Sequence, residues 1–308
     1  MKLNSVLLTQ LLMTTATQAI KLKCIPKHIP LDLIGCDFDE TITLSDTIDS
    51  LGNLSQTINK DQPDLKPWTY FTEEYMKDYT KMKPDLEKKF KSNIASLDSN
   101  ASNDVKFNIL INYIDSLKQI EYNSLNRINS FNYFNNIGPN DLKGLAKTIK
   151  LRPGFKNILD GEKFSLFGKF NANWEKFNVI SVNWSKDFIS STIEDKIPID
   201  RIYSNDFIKN PSTGLSNGTI EVSMVDGADK IKLWNELISK YQAKSTLFIG
   251  DSLNDLPPLL KSSYGVIIGN NTKLLDTCKL LGVKVFDDFK DYISYDSNWK
   301  LFRTDKYY

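Results

Sequence analysis

The sequence predicts an α/β fold in which a parallel sheet carries helices on both faces, three layers in all, with one helical insertion. Three observations predict it. Apolar runs rich in β-branched and aromatic residues recur along the chain, helical segments separate most of them, and one long stretch has none. Continuous apolar runs mark strands buried on both faces, the condition of a parallel sheet enclosed by helices.

The strand candidates are residues 31–36, 177–182 and 245–249, then 264–268, which closes at Gly269, and a fifth at 283–286. Helices are predicted at 155–159, after Pro153 and Gly154, and at 187–194, 230–240 and 272–281. Between Thr43 and Lys150 the apolar spacing, as in windows 71–79 and 107–117, is closer to three or four than to two, so this stretch is read as helical. Ser45 and Asp46 are placed as the cap of its first helix. Residues 92–104, rich in Ser and Asn, are expected to form a mobile loop, and 160–175 an irregular insertion. The expected organisation is an extension at 1–30, a core from 31–43 and 150–308, and an inserted unit at 44–149.

A chain of 308 residues can bury a core and carry such an insertion. With 41% hydrophobic and 25% charged residues it is not disordered as a whole. Its 39 basic and 38 acidic residues leave a net charge of +1 and no basic stripe, which argues against a nucleic-acid polymer as partner. Cys24, Cys36 and Cys278 are odd in number and far apart, which fits neither a disulfide framework nor a zinc site and suits a reducing compartment. The single histidine, His28, leaves no material for imidazole triads, so any catalysis must use carboxylates, hydroxyls and lysines.

No window approaches the roughly 20 apolar residues that cross a bilayer. The apolar run Val6 to Met13 is broken by Thr9 and Gln10, and no arginine accompanies it, so a helix of a cytoplasmic protein is expected in preference to a secretory or mitochondrial leader. No protein partner is implied.

The polar residues that carry chemistry stand immediately after the apolar runs. Asp37, Asp39 and Thr41 follow the first, Ser181 and Asn183 end the second, and Asp251, Asn254 and Asp255 follow the third. An open α/β sheet binds ligands outside the carboxyl ends of its strands, so these separated segments converge. Alone, the aspartate pair is also what a solvated turn provides; the other strand ends favour a site. Carboxylates without imidazole or thiolate form an oxygen-only nest that suits magnesium, and magnesium suggests phosphate. In such a site Asp37 is the candidate nucleophile, Asp39 the acid and base, and Ser181 with a lysine the phosphoryl ligands. Lys230 and Lys232 face different directions on a helix, so only one can serve, and Lys230 is preferred because it follows Asp226, Gly227 and Asp229, a loop that could aim it inward.

Asp37-Phe38-Asp39-Glu40-Thr41, Ser181, Lys230 and Gly250-Asp251-Ser252-Leu253-Asn254-Asp255 resemble, in order and spacing, the four motifs of the haloacid dehalogenase-like (HAD) hydrolases. The resemblance implies a Rossmann-like core, an aspartyl-phosphate intermediate on Asp37, and magnesium held by Asp37, the backbone carbonyl of Asp39, and Asp251. Thr41 and Asn183 are expected beside the phosphate, and Asp255 and Asn254 behind the metal. It also implies that the insertion is the C1 cap of the phosphoserine-phosphatase-like branch, and that 202–220 is the short hairpin which that branch carries instead of a second cap.

A narrower resemblance, on Trp68, Phe71-Thr72-Glu73-Glu74-Tyr75, Ser181-Val182-Asn183-Trp184 with Asp187, and Gly265–Gly269, is to the phosphatase domain of plant-type thiamine monophosphate phosphatases and their fungal relatives. Nothing here corresponds to the additional thiaminase-like domain of the plant proteins. Trp68, Tyr70, Tyr75 and Tyr79 are candidates either for stacking on a substrate ring, with Glu73 or Glu74 offsetting a cation, or for plain cap core. Arg152 is a candidate cation near the site.

The expectation is therefore a magnesium-dependent phosphomonoesterase acting on a small phosphorylated metabolite, thiamine monophosphate among the candidates. The alternatives are a phosphotransferase or mutase on the same chemistry, and a non-catalytic protein that binds a phosphorylated metabolite. Dehalogenation would leave Asp39 and the metal without a use.

Overall fold

The computed structural model describes residues 28–307, so the helix expected around Val6 to Met13, and Cys24, lie outside the described residues. The chain opens with β1 (Ile29–Pro30) and β2 (Leu33–Cys36). The helical stretch follows as α1 (Ile48–Ile58), α2 (Trp68–Ala95), α3 (Asn103–Ser130), the short β3 (Phe134–Asn135) and α4 (Pro139–Ala146). Then come α5 (Phe155–Leu159), β4 (Lys163–Leu166), β5 (Phe170–Asn173), β6 (Phe177–Ile180), α6 (Lys186–Thr192), β7 (Ile202–Tyr203), β8 (Asp206–Lys209) and β9 (Ser216–Glu221). The last part is α7 (Gly227–Tyr241), β10 (Thr246–Gly250), α8 (Leu256–Lys261), β11 (Tyr264–Ile268), α9 (Thr272–Leu281), β12 (Lys284–Phe286), α10 (Phe289–Ser294) and β13 (Lys300–Thr304).

Seven strands form the central sheet in the order β12-β13-β11-β10-β2-β6-β7, and every neighbouring pair is parallel. Side chains alternate between its two faces, and both faces are buried. Leu33, Ile180, Phe248 and Ile267 pack with Ile231, Trp234 and Leu237 of α7 and with Leu256 and Leu259 of α8. Ile34, Cys36, Val179 and Ile249 pack with Phe155 and Ile158 of α5 and with Phe188 and Ile189 of α6. This two-sided burial is why the strands read as continuous apolar runs. Gly35 makes room on the first face: a β-carbon there would stand 2.6 Å from the Phe248 ring and 2.8 Å from that of Trp234.

Helices α2 and α3 run antiparallel as an aromatic and ionic pair. Phe90 stacks on Tyr113 with ring centroids 4.5 Å apart, and Arg127 pairs with Asp78 at 2.7 Å. The expected loop at 92–104 shrinks to 96–102, because α2 runs through Ala95 and the Ser102 hydroxyl caps α3 by accepting from the Val105 amide. Residues 160–175 are not irregular but form the β4–β5 hairpin, which turns on Phe167 and Gly168, both at positive φ, while β5 also pairs with β1. A Phe-Gly turn lacks the Asn-Gly or Asp-Gly signature of such hairpins. The expected hairpin at 202–220 is present as β8–β9, and β9 pairs further with β3 from the helical stretch. Strand β13, unforeseen in the sequence, enters between β11 and β12.

Candidate active site

Strand β2 is followed in sequence by β6 and β7 on one side and is flanked by the later β10 on the other. The chain therefore reverses direction across the sheet at the β2–β10 boundary, where an open sheet parts into a crevice at its carboxyl ends. Asp37 follows β2, Asp251 follows β10 and Ser181 follows β6, and all three are buried. All three line one cavity of about 500 Å³.

The floor is built around one buried lysine. Lys230, 1% exposed, lies in the first turn and a half of α7, whose N-terminus Asp226 caps by accepting from the amides of Ala228 and Asp229. The helix starts earlier than the sequence suggested and turns Lys230 inward, while Lys232 is exposed. Lys230 Nζ stands 2.8 Å from Asp37 Oδ1 and 2.7 Å from Asp255 Oδ1. Burial alone would depress this ammonium; Asp255 and Asp37 outweigh it and hold it charged.

Asp255 acts beneath the floor. Its Oδ2 accepts from the amides of Asp251 and Ser252 and from the Ser252 hydroxyl, and the 251–255 turn fits because Gly250 has no β-carbon to strike Asp255, which would be 2.3 Å away. The carboxylates of Asp37, Asp251 and Asp255 each place an oxygen within 4.8 Å of the others. Burial pushes Asp37 and Asp251 up from the ordinary carboxylate range, and repulsion from Asp255 adds to both. Oxygen donors, and three carboxylates set against one ammonium, suit a hard divalent cation such as Mg²⁺. Asp37 and Asp251 are the side chains free to hold it, since both oxygens of Asp255 are engaged.

Asp39, partly buried, faces the cavity and is held from behind. Its Oδ1 accepts from the Thr47 amide at 2.9 Å and the Thr47 hydroxyl at 2.5 Å, and its Oδ2 accepts from Asn183 Nδ2 at 2.8 Å. Burial and the nearby Asp46 raise it to about 6, against the pull of these donors. Thr47 holds the N-cap position of α1 without a side-chain cap of its own, and of the expected capping pair Asp46 accepts the Ile48 amide. The entry into the helical stretch is thus tied to Asp39.

Two expected phosphate ligands are placed otherwise. The Thr41 hydroxyl donates to Asp251 Oδ1 at 2.9 Å, and Asn183, fully buried, donates to Asp39 and Thr47 and accepts from the amides of Trp184 and Ser185. With their polar groups so engaged, neither lines the cavity. Ser181 does, as does Asn254, whose Oδ1 accepts from the Gly227 amide. Arg152 is also absent from the lining; its guanidinium donates to the Glu40 carbonyl.

Helices α1 to α3 supply the far wall. Trp68 belongs to the core, packed on Phe71, Tyr133 and Trp184 with Nε1 donating to Asp49, yet it also lines the cavity. Tyr75 lines it too, whereas Tyr70 and Tyr79 do not. The acid beside Tyr75 is neither Glu73 nor Glu74 but Glu121, whose Oε1 accepts from the Tyr75 hydroxyl at 3.0 Å. Sequence reasoning missed Glu121. Its signal was position: it follows Ile114 and Leu117 and precedes Ser124 and Ile128 at helical spacing, one acid on the inward stripe of α3.

With this geometry established, comparison with known proteins places the chain. No family model matches it. Cold tolerance protein 1 of Saccharomyces cerevisiae is 30% identical over 259 residues, covering 77% of this chain and 78% of that protein. The chain belongs to the CTO1 family. A CTO1 family protein of Schizosaccharomyces pombe is 25% identical over 255 residues, covering 78% of this chain and 82% of its own.

Among solved structures, the CTO1-family chain is similar to a phosphoserine phosphatase holding a phospho-aspartyl intermediate analogue. The TM-score is 0.45 at 15% identity, over 80% of this chain and 90% of that one. A HAD family hydrolase from Salmonella enterica serovar Typhi gives 0.45 at 15% identity, over 82% and 67%. Among the described residues no helix is long and apolar enough to cross a membrane.

Proposed function

We propose that this CTO1-family protein is a magnesium-dependent phosphomonoesterase of the HAD type, acting on a small phosphate ester. The observation that carries the reading is the Asp37–Lys230–Asp255 arrangement beside Asp251: a buried carboxylate facing the cavity, backed by one ammonium, with a second carboxylate available to a cation. The helical unit at 44–149 is the cap that closes the cavity.

Asp37 attacks phosphorus, the bond to the leaving oxygen breaks, and Asp39 delivers its proton to that oxygen. Water then attacks the aspartyl phosphate, Asp39 takes its proton back, and inorganic phosphate leaves with Asp37 restored. An acid raised to about 6 suits both halves near neutral pH. Lys230 and the Ser181 hydroxyl bear on the phosphoryl oxygens, and Asn183 and Thr47 keep Asp39 in line. Asp37, the Asp39 carbonyl and Asp251 would hold magnesium, which would supply charge neutralisation there.

Asp37→Asn should lower turnover of p-nitrophenyl phosphate by on the order of a thousandfold or more while leaving the circular dichroism spectrum unchanged. Turnover at the parent rate in magnesium would remove Asp37 as nucleophile. Assay of free phosphate across phosphoserine, thiamine monophosphate, pyridoxal phosphate, nucleotides and sugar phosphates separates hydrolysis from transfer and ranks substrates.

A further inference from the structure

We infer that the wall above the reacting carboxylates selects phosphate esters whose leaving group carries a positive charge on an aromatic or apolar body, with Glu121 receiving the charge. The inference deepens the phosphomonoesterase reading and rests on it. Beyond the floor, the charged residues that line the cavity are Glu40, Asp46, Asp49 and Glu121; among the described residues Lys230 is its one cationic lining residue. Lys230 is already engaged by Asp37 and Asp255. A leaving group with a carboxylate or second phosphate would find no partner on this wall and would meet like charge.

Glu121 is the carboxylate best placed to act. Asp49 is taken up by Trp68 Nε1, and Asp46 accepts the Ile48 amide and bears on Asp39. Glu121 gives one oxygen to Tyr75, and its other oxygen engages no described residue. The nearest lysine on its own helix, Lys118, is committed to Asp115, Asp226 and Asp229. Burial pushes Glu121 up to about 7, with the Tyr75 hydroxyl opposing and Asp226 adding to the rise, as expected of a carboxylate to which the described residues supply no cation. Tyr75 touches it, and Trp68, Trp184 and the thioethers of Met76 and Met224 line the same cavity, surfaces that favour a cation attached to a ring.

The test uses a matched pair, phosphoethyl-pyridinium and phenethyl phosphate, which share size and shape and differ by one positive charge. The full-length protein with magnesium should favour the cationic ester by about tenfold or more in kcat/KM, a difference of about 1.4 kcal/mol. Glu121→Gln should collapse the ratio to within about twofold, and Glu121→Asp should restore part of it, which damage to the fold would not do. A ratio near one in the parent protein, or one that survives in Glu121→Gln, overturns the inference. The alcohols of the same pair, titrated against the intrinsic tryptophan fluorescence, to which Trp68 and Trp184 of the cavity contribute, give a readout without turnover: tighter binding of the pyridinium alcohol supports it, and equal binding overturns it. If neither ester nor p-nitrophenyl phosphate is hydrolysed while the pyridinium alcohol binds more tightly, the phosphatase reading falls and the charge selection stands.

Discussion

Two groups of carboxylates line the same cavity and are held on opposite terms. On the floor, Asp37 shares Lys230 with the supporting Asp255, and the lysine is so deeply buried that its charge is fixed by them. On the wall, Glu121 has a tyrosine hydroxyl and, among the described residues, no lysine. The floor comes from strand ends and the turn of a core helix, the wall from helices α1 to α3. A floor with its own cation can hold reacting groups in place without substrate, whereas a wall without one leaves its charge to be met by what enters.

Removing the charge at each place sharpens the contrast, because the effects on stability have opposite signs. Lys230→Met strands Asp37 and Asp255 in the core and should destabilise the fold by about 3 kcal/mol or more in urea unfolding, and abolish turnover. An unchanged unfolding midpoint would mean that the lysine does not compensate the floor.

Asn183→Ala tests the link between floor and wall. It removes a donor that stabilises the Asp39 carboxylate, so the pKa of Asp39 should rise above about 6. The limb of the kcat–pH profile that reports Asp39 should move to higher pH, with kcat down by about tenfold. A profile that falls in height without moving would reduce Asn183 to a structural role.

The smallest effect is the reverse of the first. Glu121 is raised from 4.5 to about 7, so the folded state binds its proton more tightly than the unfolded chain does. Its ionised form costs nothing below about pH 4.5, an increasing amount up to about 7, and a constant amount above. Glu121→Gln should therefore be more stable than the parent at pH 8 by about 1 to 2 kcal/mol, a partial realisation of the shift for a group that solvent partly reaches, and no more stable at pH 4. Thermal unfolding of both proteins at the two pH values, without magnesium, checks it. Equal melting temperatures at pH 8 would mean that the wall carboxylate is already compensated.

The same contrast explains what could be read in the sequence. The floor is local: Asp37 and Asp251 stand one residue beyond buried strands, so an apolar run ending in an acid marks them, and the parallel sheet aligns those ends. Lys230 could be preferred over Lys232 because it directly follows the segment of Asp226, Gly227 and Asp229, while helix geometry turns Lys232 another way. The wall is made by pairing between helices distant in sequence. Glu121 meets Tyr75 only because α2 and α3 run antiparallel, and nothing within either helix specifies which acid faces which ring. Glu73 and Glu74 are candidates only by their place beside the aromatics in sequence, and neither lines the cavity. Thr41 and Asn183 stand near the centre with their side chains bonded to Asp251 and Asp39, since sequence order cannot say whether a polar group faces the cavity or the carboxylate behind it. Strand β13 escaped notice because its place between β11 and β12 is set by the sheet, not by a long apolar run.

The central claim is that Asp37 becomes phosphorylated, and chemical trapping tests it most directly. The full-length protein, mixed with magnesium and a hydrolysed ester, is quenched in acid, reduced with borohydride and mapped by mass spectrometry. The account predicts that Asp37 is converted to homoserine, in an ester-dependent manner and without the same change at Asp39 or Asp251. Conversion at another carboxylate, or free phosphate released in full turnover with Asp37 unmodified in every quench, would contradict it.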